Sequence, residues 1–430
     1  MVKADYETRP ISDKVWGMIK KERREHFWRT FSAQKEGGIV ATGMAPAFQP
    51  MLAGFGTVGT PSIGTAFTRV SREGTAADGL RKFVEITASK GYGPICGALG
   101  AHLGQVFGGV SFTNPTTGEE IKPDFVYLTA DCRSIMKVSQ MAADFMGLPL
   151  LFIDPPPGYA FTDNRREYLV SQLLDAIEWI EKRTGKEFND ERFLDCVRFN
   201  VHTGVLWAKI CDMTRNIPSP VSGRLIPSLH TPLVATAYSK GTMEYLEALY
   251  EEMQQRVHDG ISGAPFERKR LVHSGIHPMY RPDILRWPDE YGAAFIISFG
   301  NRAGAYTDDG QYVLPKTLEE RGIELNSRED GLRIMLDPFG FRILERSRET
   351  MRKNYLRRLK DWHIDGVMQH MARRCSQQVG ALDQNRDCEE AGILVGTYEA
   401  SEGDPNEWNE TRVREDFANF FERLGLTKLN

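Results

Sequence analysis

The sequence has few of the features that would place it among membrane, secreted or nucleic-acid-binding proteins. No stretch approaches the roughly 20 consecutive apolar residues of a membrane span, and a formal net charge of −4 over 430 residues gives no electrostatic reason to bind nucleic acid or an anionic membrane. The opening residues, MVKADYETRP, contain no apolar segment of the kind found in secretory signals. Six cysteines are too few for a disulfide scaffold. We therefore expect a cytoplasmic, enzyme-sized protein whose cysteines are thiols or metal ligands.

Several common catalytic motifs are also missing. Without a GxxxxGK[ST] string, the chain itself is not expected to hydrolyse ATP. It has no HExxH, no CxxC pair and no GxSxG, which removes the commonest zinc signatures and the serine nucleophile elbow. The string GFGTVG (54–59) matches the dinucleotide fingerprint GxGxxG, but no clear strand precedes it, and Pro61 and Gly64 follow at once. A loop is therefore favoured there over a nucleotide site.

The hydrophobic pattern predicts an α/β protein with two doubly wound, Rossmann-like parallel-sheet domains. Helical periodicity indicates helices at 13–37, 134–146, about 165–214 with a break near 184–185, 242–258, 349–362 and 411–425. Short apolar runs without clean alternation indicate buried parallel strands at 37–43, 124–130, 148–154, 270–275, 293–300, 363–370 and 391–399. We expect an N-terminal helical segment (1–36), a first α/β domain with a helical insertion (37–262) and a second α/β domain (263–430).

Three cysteines stand out by position. Cys132 and Cys375 lie just past predicted strands, at the edge where open α/β sheets bind ligands, and a helix starts after Cys96. Three thiolates that meet there would hold an iron–sulfur cluster with one iron lacking a cysteine. The alternative is that each is a small buried hydrophobe.

The other cysteines are predicted to have different surroundings. Cys196 and Cys211 lie between apolar neighbours on helices, which predicts core positions. Cys388 lies in the charged string QNRDCEE, which predicts an exposed helical thiol and a reserve ligand in place of Cys375.

Three histidines are candidate proton donors near the same edge. His273 and His277 flank Gly275 at the end of a predicted strand, where the loop either reaches the ligand cleft or forms a plain turn. His370 precedes Cys375 and either donates to a cluster sulfur or a bound carbonyl, or is satisfied by backbone groups.

Three stretches are similar to one enzyme family. They are ICGALGAHLG (95–104) with KPDFVYLTADCRS (122–134), RLVHSGIHPMYRPDILRWPDEYGAAFIIS (270–298), and the text from DGVMQHMARRC to the final helix (365–425). Together they resemble the benzoyl-CoA reductase/2-hydroxyacyl-CoA dehydratase family from about residue 90 onwards. The string TYEASEGDP and the spacing of His370, Arg373 and Cys375 resemble the larger cluster-bearing subunit of class I benzoyl-CoA reductase most.

The resemblance implies a [4Fe–4S] cluster bound by Cys96, Cys132 and Cys375. It implies three partners: a homologous cluster-bearing subunit, an ATP-hydrolysing iron–sulfur activator and an acyl-CoA thioester substrate. The main interpretation is an iron–sulfur subunit of an ATP-dependent benzoyl-CoA reductase, which reduces an aromatic thioester to a cyclic dienoyl-CoA in anaerobic aromatic degradation. The alternatives are a subunit of a 2-hydroxyacyl-CoA dehydratase, which works through a ketyl radical, and a non-catalytic relay subunit that carries a cluster.

Overall fold

A computed structural model describes residues 3–429 apart from 45–47, 61–75, 94, 115, 130–131, 156–161, 308, 337–347 and 377. Two four-stranded sheets run through this part of the chain, and every strand pair in them is parallel. Helices accompany both sheets. The predicted α/β class with two parallel sheets is confirmed.

The first sheet has the order β2-β1-β3-β4. Its strands are β1 (Ile39–Met44), β2 (Val58–Gly59), β3 (Phe125–Thr129) and β4 (Leu150–Ile153). The accompanying helices are α2 (Gln49–Ala53), α3 (Ala76–Ser89), α4 (Gly97–Phe107) and α5 (Arg133–Met146). All five residues of β3 are buried, as expected for a strand covered on both faces. Helix α5 connects β3 to β4, which confirms the predicted βαβ unit.

The second sheet has the order β10-β9-β5-β6. Its strands are β5 (Arg270–Ser274), β6 (Ala294–Ile297), β9 (Gly366–Ala372) and β10 (Leu394–Ala400), and β7 (Ala305–Tyr306) pairs with β8 (Tyr312–Val313) in a separate antiparallel ribbon. Helix α11 (Arg348–Asp361) leads into β9, α12 (Gln378–Glu390) connects β9 to β10, and α13 (Glu410–Arg423) follows β10. Strands β5 and β9 are parallel neighbours, so their carboxyl ends lie side by side.

Six further α-helices in the described part of the chain belong to neither of the sheet connections above. One precedes the first sheet in the sequence, four lie between the two sheets, and one follows β8. They are α1 (Asp13–Ser32), α6 (Asp163–Thr184), α7 (Asp190–Asp212), α8 (Ile226–Thr236), α9 (Lys240–Asp259) and, later in the chain, α10 (Arg328–Met335). Gly185 ends α6 in a left-handed conformation with a φ of 66°, and the Asn189 side chain caps α7. The predicted break near residues 184–185 is therefore confirmed.

The helices pack against both sheets. Apolar residues of β1 and β3 form one core with α6, the first half of α7 and α10, whereas a second core joins α1, α8 and α9 to β6. The helices between residues 163 and 259 thus contribute to both cores. The proposed domain limits at 36/37 and 262/263 stay a prediction. No helix in the described ranges is both long and apolar enough to cross a membrane.

A few local predictions differ from the structure. Helix α1 stops at Ser32, and strand β9 begins at Gly366 because the chain turns at His363, whose φ is 52°. The string GFGTVG lies between α2 and the two-residue strand β2, not between a strand and a helix, so the loop prediction is confirmed. Pro61, Gly64 and Ala130, the last residue of the predicted strand 124–130, lie outside the described residues.

Candidate functional site

Cys96, Cys132 and Cys375 all lie where a helix begins or a strand ends. Cys96 and Cys132 are the N-cap residues of α4 and α5, and Cys375 follows β9 just before α12. All three are partly buried. The strand-end positions predicted for Cys132 and Cys375 are confirmed.

Contacts around these cysteines connect them to one another. The carboxylate of Glu402 and the thiol of Cys132 both raise the pKa of Cys96 electrostatically, an influence that requires them to be close to it. The Ser376 hydroxyl lies 3.8 Å from the sulfur of Cys132. Glu402 also accepts a hydrogen bond from the thiol of Cys375. Glu402 therefore lies near both Cys96 and Cys375, and Ser376, next to Cys375 in the chain, contacts Cys132.

Two glycines let the first helix of the site approach the turn after β10. A Cβ on Gly97 would lie 2.2 Å from the Ser401 hydroxyl and 2.7 Å from the Asp404 backbone nitrogen. A Cβ on Gly403 would lie 2.7 Å from the Ala98 backbone nitrogen. Backbone therefore meets backbone at this junction, and it fixes Cys96 next to the segment that carries Glu402.

The thiols of Cys96 and Cys132 have pKa values shifted in opposite directions. Burial acts to raise the pKa of Cys132, but hydrogen bonds from the Ile135 amide and the Ser376 hydroxyl outweigh it, and the pKa is lowered. Burial dominates at Cys96 and raises its pKa, although the amide of Leu99 opposes the effect. In both cases the first turn of a helix directs N–H groups at the sulfur, which is the usual way a protein stabilises a thiolate.

This donor set fits an iron–sulfur cluster. Three cysteines from three separate segments are connected through Glu402 and Ser376, and two of them lie at helix N-termini, which partly compensate thiolate charge. Within the described ranges, no three or more His, Cys, Asp or Glu residues are grouped so that they could hold a metal ion. Cysteine ligands of a [4Fe–4S] cluster bind different irons, so they need not converge on one point. The assignment of the three cysteines as ligands stays a prediction.

His273 and His277 lie beneath the surface. His273 is 1% exposed, and its Nε2 is 2.8 Å from the Tyr398 hydroxyl. Burial lowers the pKa of His273 well below its usual value and lowers the pKa of His277 to about 4. Both rings are therefore neutral near pH 7. A neutral imidazole carries a single N–H proton, so each ring could donate only that one. Their role as proton donors stays a prediction.

His370 is held by the backbone. Its Nδ1 contacts the carbonyl oxygen of Ile276, its Nε2 is 3.1 Å from the carbonyl oxygen of Ala400, and the ring stacks on Tyr398 with centroids 4.7 Å apart. Burial lowers the pKa of His370. A neutral ring donates to only one of the two carbonyls. These contacts join β9 to the turn after β5 and to the end of β10, which favours the backbone-satisfied alternative.

The prediction that Cys388 is exposed was wrong. Its side chain is 0% exposed and belongs to an apolar cluster formed by α11, α12, β5, β9 and β10. Burial raises the pKa of Cys388 to about 12, so the thiol is a poor metal ligand. Of its charged neighbours in QNRDCEE, Asp387 is also buried and pairs with Arg352 of α11, so a charged sequence does not by itself indicate an exposed position. Cys196 and Cys211 are buried, as predicted.

A cavity opens beside Cys375. It has a volume of about 600 Å³ and lies between α11, α12 and the carboxyl ends of β5 and β9, the part of an open α/β sheet where ligands bind. Cys375 and Glu402 form part of its wall. Six of the other lining residues are Ser274, Ile276, Met351, Tyr355, Gln369 and Ala381.

The sequence analysis assigned no role to Glu402, Ser376 or Arg374. Glu402 follows β10 at the same sheet edge as Cys375, so the strand-end argument that selected Cys375 also applies to it. Arg374 adopts a φ of 62°, unusual for a residue with a side chain, and forms an ion pair with Glu407. This turn directs the chain into Cys375.

The sequence matches the family model described as 2-hydroxyglutaryl-CoA dehydratase, D-component, over residues 89–424. The chain belongs to this family. The family suggested by the resemblance is thereby confirmed, and the D-component match covers all three cysteines of the site.

Three curated relatives of this chain are α subunits of dehydratases. The (R)-2-hydroxyglutaryl-CoA dehydratase subunit of Acidaminococcus fermentans is 26% identical over 313 residues, 68% of this chain and 59% of the relative. The (R)-phenyllactyl-CoA dehydratase subunit of Clostridium sporogenes is 24% identical over 301 residues, 67% of this chain and 68% of the relative. The (R)-2-hydroxyisocaproyl-CoA dehydratase subunit of Clostridioides difficile is 24% identical over 407 residues, 91% of this chain and 92% of the relative.

These relatives favour the 2-hydroxyacyl-CoA dehydratase alternative over the benzoyl-CoA reductase interpretation. All three relatives are named as 2-hydroxyacyl-CoA dehydratase subunits, and none is named as a benzoyl-CoA reductase. The alignment spans less than two thirds of the first relative's length. The match establishes the family of this chain but neither its substrate nor its partners.

Proposed function

We propose that this chain is the α-type subunit of a 2-hydroxyacyl-CoA dehydratase, in which Cys96, Cys132 and Cys375 bind a [4Fe–4S] cluster. The observation that carries the proposal is the set of contacts through Glu402 and Ser376 that connects these three cysteines, together with the cavity of about 600 Å³ beside Cys375. The family match and the three dehydratase relatives support the reaction class.

The residues of the site bind the cofactor and orient it. Cys96 and Cys132 ligate from the N-termini of α4 and α5, where backbone N–H groups offset the charge of a thiolate. In the cluster-free chain, Glu402 orients the side chain of Cys375 by accepting a hydrogen bond from its thiol. When bound, such a cluster supplies low-potential one-electron transfer and, at the iron without a cysteine, a Lewis-acid site.

The cavity supplies the place for the acyl group. Its wall combines apolar side chains such as Met351 and Ala381 with many polar and charged ones, including Arg352 and Asp387. A thioester whose acyl end enters this cavity has its reacting carbons beside Cys375.

The proposed partners come from the family resemblance. It implies a separate ATP-hydrolysing iron–sulfur activator as the source of the low-potential electron, and the absence of a P-loop from the sequence agrees with that division of labour. The relatives are named as α subunits, which supports a second, homologous subunit. Dehydration removes the hydroxyl from C2 and a hydrogen from C3, so the activator's electron is returned at the end of each turnover.

An anaerobic assay with the partner subunit and reduced activator tests the proposal. We expect a 2-hydroxyacyl-CoA to be converted to the enoyl-CoA without net electron consumption, and benzoyl-CoA to remain unchanged. Cys375→Ala should abolish turnover, whereas the buried-cysteine control Cys196→Ala should retain it. Reduction of benzoyl-CoA with consumption of electrons would instead support the reductase interpretation, and a cluster-bearing complex that converts neither thioester would support the relay.

A further inference from the structure

The cavity wall carries a buried amide that is only half satisfied. Gln369, on β9, is 3% exposed and lines the cavity. Its Nε2 donates to the carbonyl oxygen of His370 at 3.0 Å and to that of Ser274 at 3.4 Å. Its Oε1 is buried and has no hydrogen-bond partner among the described residues. Buried side-chain oxygens are nearly always hydrogen-bonded, so this one indicates a group that the protein does not itself supply.

The orientation of this amide is fixed by the two carbonyls. If the Gln369 amide were flipped, its oxygen would face two carbonyl oxygens, which donate no hydrogen bond. Oε1 is therefore the atom left over, and it can only accept. The missing partner has to be a donor.

A second polar group of the same cavity has a proton to donate. The hydroxyl of Tyr355, on α11, is buried; the Gln384 and Ser274 side chains lie near it and act to lower its pKa, but none of the described residues meets full hydrogen-bond geometry with it. Burial raises its pKa above the ordinary value for tyrosine, so the hydroxyl keeps its proton and can donate. An acceptor and a donor are thus available on opposite layers of the cavity, one on the sheet and one on a covering helix.

We infer that Gln369 and Tyr355 bind the hydroxyl group of the 2-hydroxyacyl substrate. An alcohol donates one hydrogen bond and accepts others, so it complements Gln369 Oε1 as acceptor and the Tyr355 hydroxyl as donor. Cys375 lines the same cavity, which places the hydroxyl recognised here at the reacting end of the acyl group. The inference rests on the proposed function and identifies the residues that distinguish the substrate from its analogue without the hydroxyl.

Equilibrium binding tests the inference without requiring turnover. Isothermal titration of the full chain, reconstituted anaerobically with its partner subunit, compares 2-hydroxyisocaproyl-CoA with isocaproyl-CoA. We expect the wild-type complex to bind the hydroxylated thioester about tenfold more tightly, and Tyr355→Phe to lower this preference by about three- to tenfold through the hydroxylated ligand alone. Gln369→Met should do the same, and the exposed-tyrosine control Tyr168→Phe should leave the preference unchanged.

The outcomes separate this inference from the proposed function. If Tyr355→Phe and Gln369→Met both keep the wild-type preference, the two groups bind a water molecule and the inference is wrong, whatever the dehydration assay shows. If the preference is lost in the variants but no thioester is dehydrated, hydroxyl recognition stands and the proposed reaction fails. Equal binding of the two thioesters by the wild-type complex would overturn the inference directly.

Discussion

At the scale of single residues, burial divides the six cysteines into two sets. Cys96, Cys132 and Cys375 are partly buried at helix starts and strand ends, whereas Cys196, Cys211 and Cys388 are buried in apolar surroundings. The strand-end positions predicted for Cys132 and Cys375 are correct. The prediction for Cys388, made from its charged neighbours, failed because the burial of a helical residue depends on which face packs against the sheet.

Buried histidines make the stability of the chain depend on pH. His102, on α4, is 4% exposed, and burial lowers its pKa to about 4, below the roughly 6.5 expected in the unfolded chain. Between these values the unfolded state binds one more proton than the native state, so this residue makes the folded state less stable as the pH falls from about 6.5 to 4. Above about pH 6.5 its effect on stability is constant.

We expect the non-titrating variant His102→Gln to remove this contribution. Relative to the variant, the wild-type chain should lose up to about 1.4 kcal/mol of unfolding free energy per pH unit over that range. Urea unfolding of both proteins at a series of pH values measures the difference. A free-energy difference that does not change between about pH 6.5 and 4 would show that His102 is already protonated in the native state.

At the scale of elements, short apolar runs predicted seven strands of the two sheets to within a few residues, and helical periodicity predicted α1, α5, α6, α7, α9, α11 and α13. Helices α3, α8 and α10 were not predicted; in α8, Pro227 and Pro232 interrupt the pattern. The two-residue strand β2 is too short to carry a period. The pairing order of the strands and the junction between α4 and the turn after β10 depend on contacts between distant segments, which local periodicity does not encode.

The junction between α4 and the turn after β10 tolerates no side chain at Gly97. We expect Gly97→Ala to destabilise the chain by about 1–3 kcal/mol, because the new Cβ meets the backbone of Asp404 and the Ser401 hydroxyl. The variant should also retain less iron after reconstitution, since Cys96 is displaced with the helix.

Gly204→Ala is the matched control for this prediction. It introduces the same methyl group inside α7, where no atom lies within 4 Å, and should be neutral or stabilising by up to about 1 kcal/mol. Urea unfolding and iron analysis of the two variants give the comparison. Equal stability and iron content would mean that the junction does not position Cys96.

At the scale of the whole molecule, the site is assembled from segments that are far apart in the sequence. Cys96 and Cys132 accompany the first sheet, while Cys375 and Glu402 follow strands of the second. The helices between residues 163 and 259 pack against both sheets and so support this arrangement. The sequence predicted that the cysteines would meet at a sheet edge, but not that Glu402 and Ser376 would connect them.

The most direct test of the account is iron and sulfide analysis, with electron paramagnetic resonance, of anaerobically reconstituted wild-type chain and single cysteine variants. We predict one [4Fe–4S] cluster per wild-type chain, loss of the cluster in Cys96→Ala, Cys132→Ala and Cys375→Ala, and full iron content in Cys388→Ala. A wild-type chain that binds no iron and sulfide, or a cluster that persists when any one of the first three cysteines is replaced, would contradict it.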